Sequence, residues 1–322
     1  MSVIAFAKNW NGKFKNSSYE LISYTKNLAN QLNTNLVVLS IGEVEEDELK
    51  SLGKFGADKI ISVNDPQMNL LTSRVYAEVL TQVASKENAD VVVLSDNNSG
   101  KAIAPRVSVK MKAGLVAAVQ ELPVSLDPFI VKKRVFSGKA FGYIQIDSQI
   151  KILTIAKNCF GVVENQVETS IEEFIPEVDT KLFKIQVTDE EEQKNKVILS
   201  DADIVVSAGR GMRSPENWGP VEELADVLGA ATACSRPVSD EGWRGHEEHV
   251  GQTGKVIAPN LYIAAGISGA IQHVAGISRS KCIVAINTDP EAPIFSVADY
   301  GIVGDAMEVL PRLTEAFKNS KS

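Results

Sequence analysis

Gly266-Ile267-Ser268-Gly269 stands between a short apolar run, Leu261-Tyr262-Ile263-Ala264, and a helical pattern with Ile271, Val274 and Ala275 on one face. A strand that feeds a glycine turn and then a helix N-terminus gathers free backbone N–H groups and positive dipole at one point, which makes an anion site. Residues 251–295 therefore predict contact with a phosphate-bearing ligand. Gly209-x-Gly211-x-x-Ser214 follows another apolar run and misses G-x-G-x-x-G at its last position. It reads as a plain turn or as a phosphate contact, and Arg210, between two glycines, is placed to reach an anion.

Other chemistries fit less well. A nucleophile elbow, G-x-S-x-G, would need glycine where Ala270 stands. His246 and His249 flank Glu247 and Glu248, but the spacing is not H-E-x-x-H, no third ligand is evident, and the segment reads as a solvated polar loop. His273 is offset from Ile271 and Val274, so it reads either as a surface histidine or as a functional one.

The elements that would position these residues alternate strand and helix. In the first half, apolar runs at residues 3–7, 35–40, 59–62 and 91–94 alternate with helical patterns at 17–30, 47–52, 67–86 and 101–111. Fully apolar strands with intervening helices imply a parallel sheet covered on both faces. Residues 129–136, 141–147 and 150–156 predict an antiparallel meander that closes this domain. Residues 164–193 carry ten acidic and two basic residues, ending in Asp189-Glu190-Glu191-Glu192, and read as a solvated connector. The boundary belongs near residue 190, giving domains 1–190 and 191–322. In the second, apolar runs at 203–207, 230–235, 261–264, 282–286 and 301–303 alternate with helices, of which Pro220 opens one and Asp305 caps the last. The expected fold is α/β in two domains, an N-terminal parallel-sheet domain with a β-rich extension and a C-terminal doubly wound domain. Ligands of such sheets sit beyond the carboxyl ends of the strands.

With 322 residues, 44% apolar and 23% charged, the chain has the composition of a soluble globular protein. Its net charge of −8 argues against nucleic-acid binding. No apolar run approaches the roughly 18 residues of a membrane-spanning helix. The N-terminus enters a strand pattern at once, and Cys159, Cys234 and Cys282 form no C-x-x-C, which together predict a cytoplasmic protein.

The run from Leu261 to His273, followed by Ile283-Val284-Ala285-Ile286-Asn287-x-Asp289-x-x-Ala292-Pro293-Ile294-Phe295, resembles the FAD-binding signature of the electron transfer flavoprotein α subunit. Ser207-x-Gly209-Arg210-Gly211, Ser235-Arg236 and Val250-Gly251-Gln252-Thr253-Gly254 resemble further flavin motifs of that family, in order and at the expected spacing. In the first domain the likeness is looser, through Gly56-Ala57-Asp58-Lys59 and Ala104-Pro105-Arg106. The segment Asn97-Asn98-Ser99-Gly100-Lys101 departs from the family pattern.

The resemblance implies a heterodimer of α and β subunits with one FAD, held mostly by the C-terminal domain of α. It implies an electron carrier without turnover of its own. Such a carrier takes electrons from acyl-CoA and other dehydrogenases, as in fatty-acid β-oxidation, and passes them to a membrane quinone oxidoreductase. By the same resemblance, the amides of Ser268, Gly269, Ala270 and Ile271 face the pyrophosphate, and Arg210, Ser235 and Asn287 add side-chain donors. Asp305 and Ala306 fall at the adenosine end. His273 matches the residue near the ring carbonyl at C2, and Arg236 the one near N5. Gln252 and Thr253 match donors to the ring, and Val250, Gly251, Gly266 and Gln272 complete the matched motifs. The N-terminal domain would be a scaffold that meets the β subunit. Two other classes stand beside this one. A sirtuin-like NAD-dependent deacylase needs two cysteine pairs, and a thiamine-diphosphate enzyme needs a sequel to G-D-G that Gly304-Asp305-Ala306 lacks. A nucleotide-sensing interaction module without redox chemistry would leave the protein colourless.

Overall fold

Strand after strand is apolar on both of its faces, and each such strand sits inside a sheet covered by helices. In β1 (Ser2–Phe6), Val3 and Ala5 join the core under α1 (Asn16–Gln31). Ile4 and Phe6 join the opposite core under α3 (Ser73–Lys86) and α4 (Asn98–Met111). The computed structural model describes residues 2–183 and 197–320, and the chain divides into two units, Met1–Glu190 and Glu191–Ser322. The position expected for the boundary, and the acidic run Asp189-Glu190-Glu191-Glu192, lie outside the described residues.

The N-terminal unit continues with a small hairpin of β2 (Asn9–Trp10) and β3 (Lys13–Phe14), then β4 (Asn35–Ile41), α2 (Glu46–Ser51), β5 (Lys59–Val63) and β6 (Ala89–Ser95). After α4 come β7 (Gly114–Val119), β8 (Ser125–Leu126), β9 (Phe129–Val135), β10 (Ala140–Gln145), β11 (Lys151–Ile155) and β12 (Ser170–Glu173). The sheet order is β10-β9-β7-β11-β6-β1-β4-β5-β12, with β8 paired to β9. Every pairing from β7 to β12 is parallel, while β9 is antiparallel to β7 and to β10.

Three local expectations need correction. Only residues 129–145 form an antiparallel hairpin; β11 lies parallel in the sheet interior, between β7 and β6. Its residues explain this, because Ile152 feeds one core and Leu153 and Ile155 the other, so the strand has no solvent face. The helix expected over 67–86 is split. A 3₁₀ turn at Pro66–Met68, capped by Asp65 through the Gln67 N–H at 2.9 Å, precedes α3, which starts at Ser73. The acidic connector is partly structural: β12 adds a parallel edge strand beside β5. Its Ile171 packs on one core and the following Phe174 on the other. Lys59 reaches Glu172 at 2.7 Å, and Lys86 also pairs with Glu172. The atypical segment before α4 has a local role, since the Asn97 side chain accepts the Gly100 N–H at 2.9 Å and caps the helix.

The C-terminal unit runs β13 (Ile204–Ala208), α5 (Gly219–Leu228), β14 (Ala231–Cys234), α6 (Arg236–Asp240), β15 (Leu261–Ala265), α7 (Ile271–Ile277), β16 (Cys282–Asn287), β17 (Tyr300–Val303) and α8 (Ala306–Ser320). All its strands are parallel, in the order β14-β13-β15-β16-β17. Asp305 caps α8 by accepting the Met307 N–H at 2.9 Å. The chain builds outward from β13 to β14, then returns to the other side of β13 to lay down β15. The crevice of a doubly wound sheet opens at such a reversal.

Candidate functional site

Two glycine loops meet at this reversal. The loop after β13 and the loop after β15 are joined by backbone hydrogen bonds, Gly209 N–H to Ala265 O at 2.9 Å and Gly211 N–H to Gly266 O at 3.0 Å. A Cβ on Gly211 would stand 2.5 Å from the Cα of Gly266, and one on Gly266, at φ +61°, would stand 2.8 Å from the Cα of Gly211. Backbone touches backbone here, so neither position has room for a side chain.

Beyond these loops opens a cleft of about 460 Å³, within the range of small-molecule sites. Arg210 and Gly211 line it from the β13 loop, Ser235, Arg236 and Pro237 from the start of α6, and His249, Val250, Gly251, Gln252 and Thr253 from the segment that follows. Gly266, Ile267, Ser268, Ala270, Gln272 and His273 line it from the β15 loop and α7, and Asn287 from the end of β16. Among the described residues that line the cleft, none is acidic and two are arginines. Both guanidinium groups are largely exposed, Arg210 at 3.5 Å from Glu241 and Arg236 at 3.2 Å from Asp240. Exposed pairs of this kind hold their partners weakly and leave the cations available to a ligand.

The donors on the β15 side are mostly main-chain. Among the described residues, none accepts a backbone hydrogen bond from the N–H groups of Ser268, Gly269, Ala270, Ile271 and Gln272. The first helical donation is His273 N–H to Ala270 O at 2.8 Å. Because α7 has only seven residues, the loop amides themselves, more than a long helix dipole, make this rim an anion acceptor. Gly269 sustains the loop at φ +88°, where a Cβ would meet the backbone nitrogen of Ile294 at 2.3 Å. Asn287 donates to Ile267 O at 3.0 Å and so fixes the floor beneath Ser268.

His273 is buried, not a surface histidine, with 6% of its surface exposed. Its Nε2 is 2.8 Å from the hydroxyl of fully buried Tyr262, while its Nδ1 meets no well-formed hydrogen bond among the described residues, with the Val250 backbone nearby. Burial pushes the imidazole down to about 4, so the ring is neutral at neutral pH. The unfolded chain titrates this group near 6.5, so the folded state binds fewer protons in between. The stability it supports is complete above pH 6.5 and is lost as the pH falls toward 4, on the order of 3 kcal/mol in all. Urea unfolding of the FAD-free chain at pH 7.5 and 4.5 should show a larger acid loss for the wild type than for His273→Gln. Equal losses would contradict this assignment.

The segment expected as a solvated loop is also partly buried. Arg244 grips Glu248 with two hydrogen bonds, at 2.8 and 2.7 Å, and lies over the Trp218 ring at 5.5 Å. The fork neutralises the carboxylate and lets Glu248 and His249 go inside, at 6% and 3% exposure, while His246 stays out.

Of the residues singled out from the sequence, Arg210, Ser235, Arg236, Val250, Gly251, Gln252, Thr253, Gly266, Ser268, Ala270, Gln272, His273 and Asn287 share the cleft. Gly269 and Ile271 shape its rim without lining it, and Ile271 is exposed. Asp305 and Ala306 stand at the start of α8, beyond the cleft, where Asp305 pairs with Arg213. Gly211, Pro237, His249 and Ile267 line the cleft without having been singled out as contacts. Gly211 was visible in the G-x-G pattern.

A cleft with cations, free amides and buried imidazoles, and with glycine contacts that leave its mouth open, fits an anionic dinucleotide. The comparisons with known proteins agree. Residues 198–278 match the family profile described as the electron transfer flavoprotein FAD-binding domain, and residues 3–179 match the electron transfer flavoprotein domain. The chain is 37% identical over 319 residues to the electron transfer flavoprotein subunit alpha of Bacillus subtilis, covering 98% of this chain and 97% of the relative. It is 32% identical to the acryloyl-CoA reductase electron transfer subunit beta of Anaerotignum propionicum, covering 98% of this chain and 95% of that one. It is 34% identical to the protein FixB of Azorhizobium caulinodans, with 98% and 88% covered.

Proposed function

The chain belongs to the electron transfer flavoprotein family, among its FAD-binding α subunits, and from that premise we propose that it is the FAD-carrying half of a heterodimeric electron carrier. Its partner is a β subunit of the same family. It accepts electrons from dehydrogenases, with acyl-CoA dehydrogenases the first candidates, and delivers them to a membrane quinone oxidoreductase. The name of the Anaerotignum propionicum relative supports an acyl-CoA-linked donor. The observation that carries the proposal is the cleft at the strand-order reversal, where, among the described residues, the lining holds no acid, the amides of residues 268–272 have no acceptor and two arginines are exposed.

FAD supplies the redox chemistry when bound, and the protein's part is to hold it, charge-match it and keep the rest of the site inert. The amides from Ser268 to Gln272, with the Ser268 hydroxyl and Arg210, neutralise the pyrophosphate. Ser235 adds a hydroxyl donor from the other wall. Gln252 and Thr253, both exposed at the mouth, donate to the flavin ring. Arg236 places positive charge beside the ring, which favours its reduced, more negative form. His273 is held by Tyr262 in a fixed plane and presents a neutral imidazole to the ring's carbonyl edge. Asp305, standing apart at α8, is the candidate for the ribose hydroxyls at the adenosine end.

Co-expression with a β subunit of the same family tests the function. The complex should purify yellow, with flavin absorption in the visible, and should be reduced by an acyl-CoA dehydrogenase and its substrate in the absence of dye. A colourless complex that FAD does not reconstitute would overturn the proposal. A yellow complex that no acyl-CoA dehydrogenase reduces would overturn the choice of donor.

A further inference from the structure

The mouth of the cleft is a turn, Gly251-Gln252-Thr253-Gly254, and something must hold that turn at one distance from the ligand. One side is fixed by α7, where the Gln252 N–H donates to Gln272 O at 2.8 Å. The other side rests on His249. Its carbonyl accepts the Lys255 N–H at 2.9 Å and so closes the turn at its base. Its ring lies beneath both glycines. A Cβ on Gly254 would stand 2.7 Å from His249 Nδ1, and one on Gly251 would stand 3.4 Å from Nε2. Gly254 is the place where a side chain would collide with the imidazole and with the His249 carbonyl, while Gly251 only touches the ring at van der Waals distance.

A phenylalanine or a methionine could fill this space without carrying nitrogen into it. Instead the position is an imidazole that is 3% exposed, with no hydrogen-bond partner for its Nδ1 among the described residues. Buried nitrogen without a hydrogen bond is uncommon and unfavourable, so an apolar ring would make the better filler. Burial, and next to it the neighbouring His246 at 5.4 Å between ring centroids, hold the group below the usual histidine range. It thus enters the cleft wall as a polar, uncharged ring.

We propose that His249 is a positioning residue of the cleft, acting through the turn above it to set Gln252 and Thr253 against the flavin ring. The inference rests on the FAD reading given above. Polarity is the operative property. The ring supports the turn by shape, and its unpartnered Nδ1 sets a polar atom against the backbone at Gly254.

The test compares His249→Phe, His249→Met and His249→Gln in the full chain co-purified with its partner subunit. Flavin retention and the flavin midpoint potential are measured on the loaded complex, and thermal unfolding on the FAD-free protein. The phenylalanine and methionine variants keep the bulk and lose the nitrogen, and each is expected to hold FAD at least tenfold more weakly and at a shifted potential. The glutamine variant keeps a polar side chain and is expected to recover most of both. Should one apolar variant fail to fold, the other carries the comparison. Wild-type affinity and potential in a folded apolar variant would overturn the inference alone. A wild-type complex that takes up no FAD would overturn the flavin reading and the inference with it.

Discussion

A Gly211→Ala chain should keep its N-terminal unit intact and lose its FAD. The added Cβ would stand 2.5 Å from the Cα and 2.8 Å from the carbonyl oxygen of Gly266, with no flexible side chain to yield. Relief requires the β13 and β15 loops to part, which breaks the Gly211–Gly266 hydrogen bond and reshapes both walls of the cleft. Overpacking of this kind costs about 1–3 kcal/mol. If most of it falls on the loaded state, FAD binding weakens about a hundredfold, the equivalent of about 2.7 kcal/mol. Gly219→Ala is the control, because a Cβ there meets nothing within 4 Å. FAD content after gel filtration separates the two. Full loading of the Gly211 variant would show that the loop contact does not shape the binding site.

Arg236→Ala should load FAD but lower its midpoint potential. The side chain is 62% exposed and its pair with Asp240 spans one helical turn at 3.2 Å, so its removal costs the fold little. Its effect falls on the ligand. A cation beside the flavin ring stabilises the form with the greater negative charge. Losing a tenfold preference for that form lowers a one-electron potential by about 60 mV. Potentiometric titration of the wild-type and variant complexes reads this directly. An unchanged potential at full flavin loading would remove Arg236 from the ring's surroundings.

The C-terminal unit was largely legible because each strand is a short apolar run closed by glycine, serine or asparagine at its carboxyl end. Ser207 to Gly211, Ser235-Arg236, Gly266 to Ser268 and Asn287 all announce strand ends that face one crevice. Besides the two-residue strands β2, β3 and β8, the N-terminal unit hid two longer ones. β7, Gly-Leu-Val-Ala-Ala-Val, is built mainly of small residues, and Ala118 at φ 59° interrupts it where its N–H turns to the Thr154 hydroxyl at 3.0 Å. β12 is masked by its glutamates, of which Glu172 is matched by Lys59 and Lys86 from elsewhere in the chain. The position of β11 could not follow from its own composition, since a buried strand can pair in either direction. What decides is that it lies between β6 and β7, which the pattern of local turns does not encode.

The same division holds at the cleft. Glycines and cations that act through backbone shape or unshielded charge could be read from spacing. The buried state of His273 could not, because it depends on Tyr262, which precedes it by 11 positions across a turn. His249 was harder still. Its burial follows from the neutralising fork of Arg244 on Glu248 and from the indole of Trp218 beneath it, an arrangement that joins separate stretches of the chain.

The central claim is that one crevice, at the strand-order reversal of the C-terminal unit, binds FAD through free main-chain amides. Amide hydrogen exchange of the FAD-free and FAD-loaded protein tests it most directly. Exchange should slow on loading at residues 268–272, whose amides have no acceptor among the described residues, and at the Gly251–Gly254 turn. Unchanged exchange at 268–272 in a fully loaded protein would contradict the account.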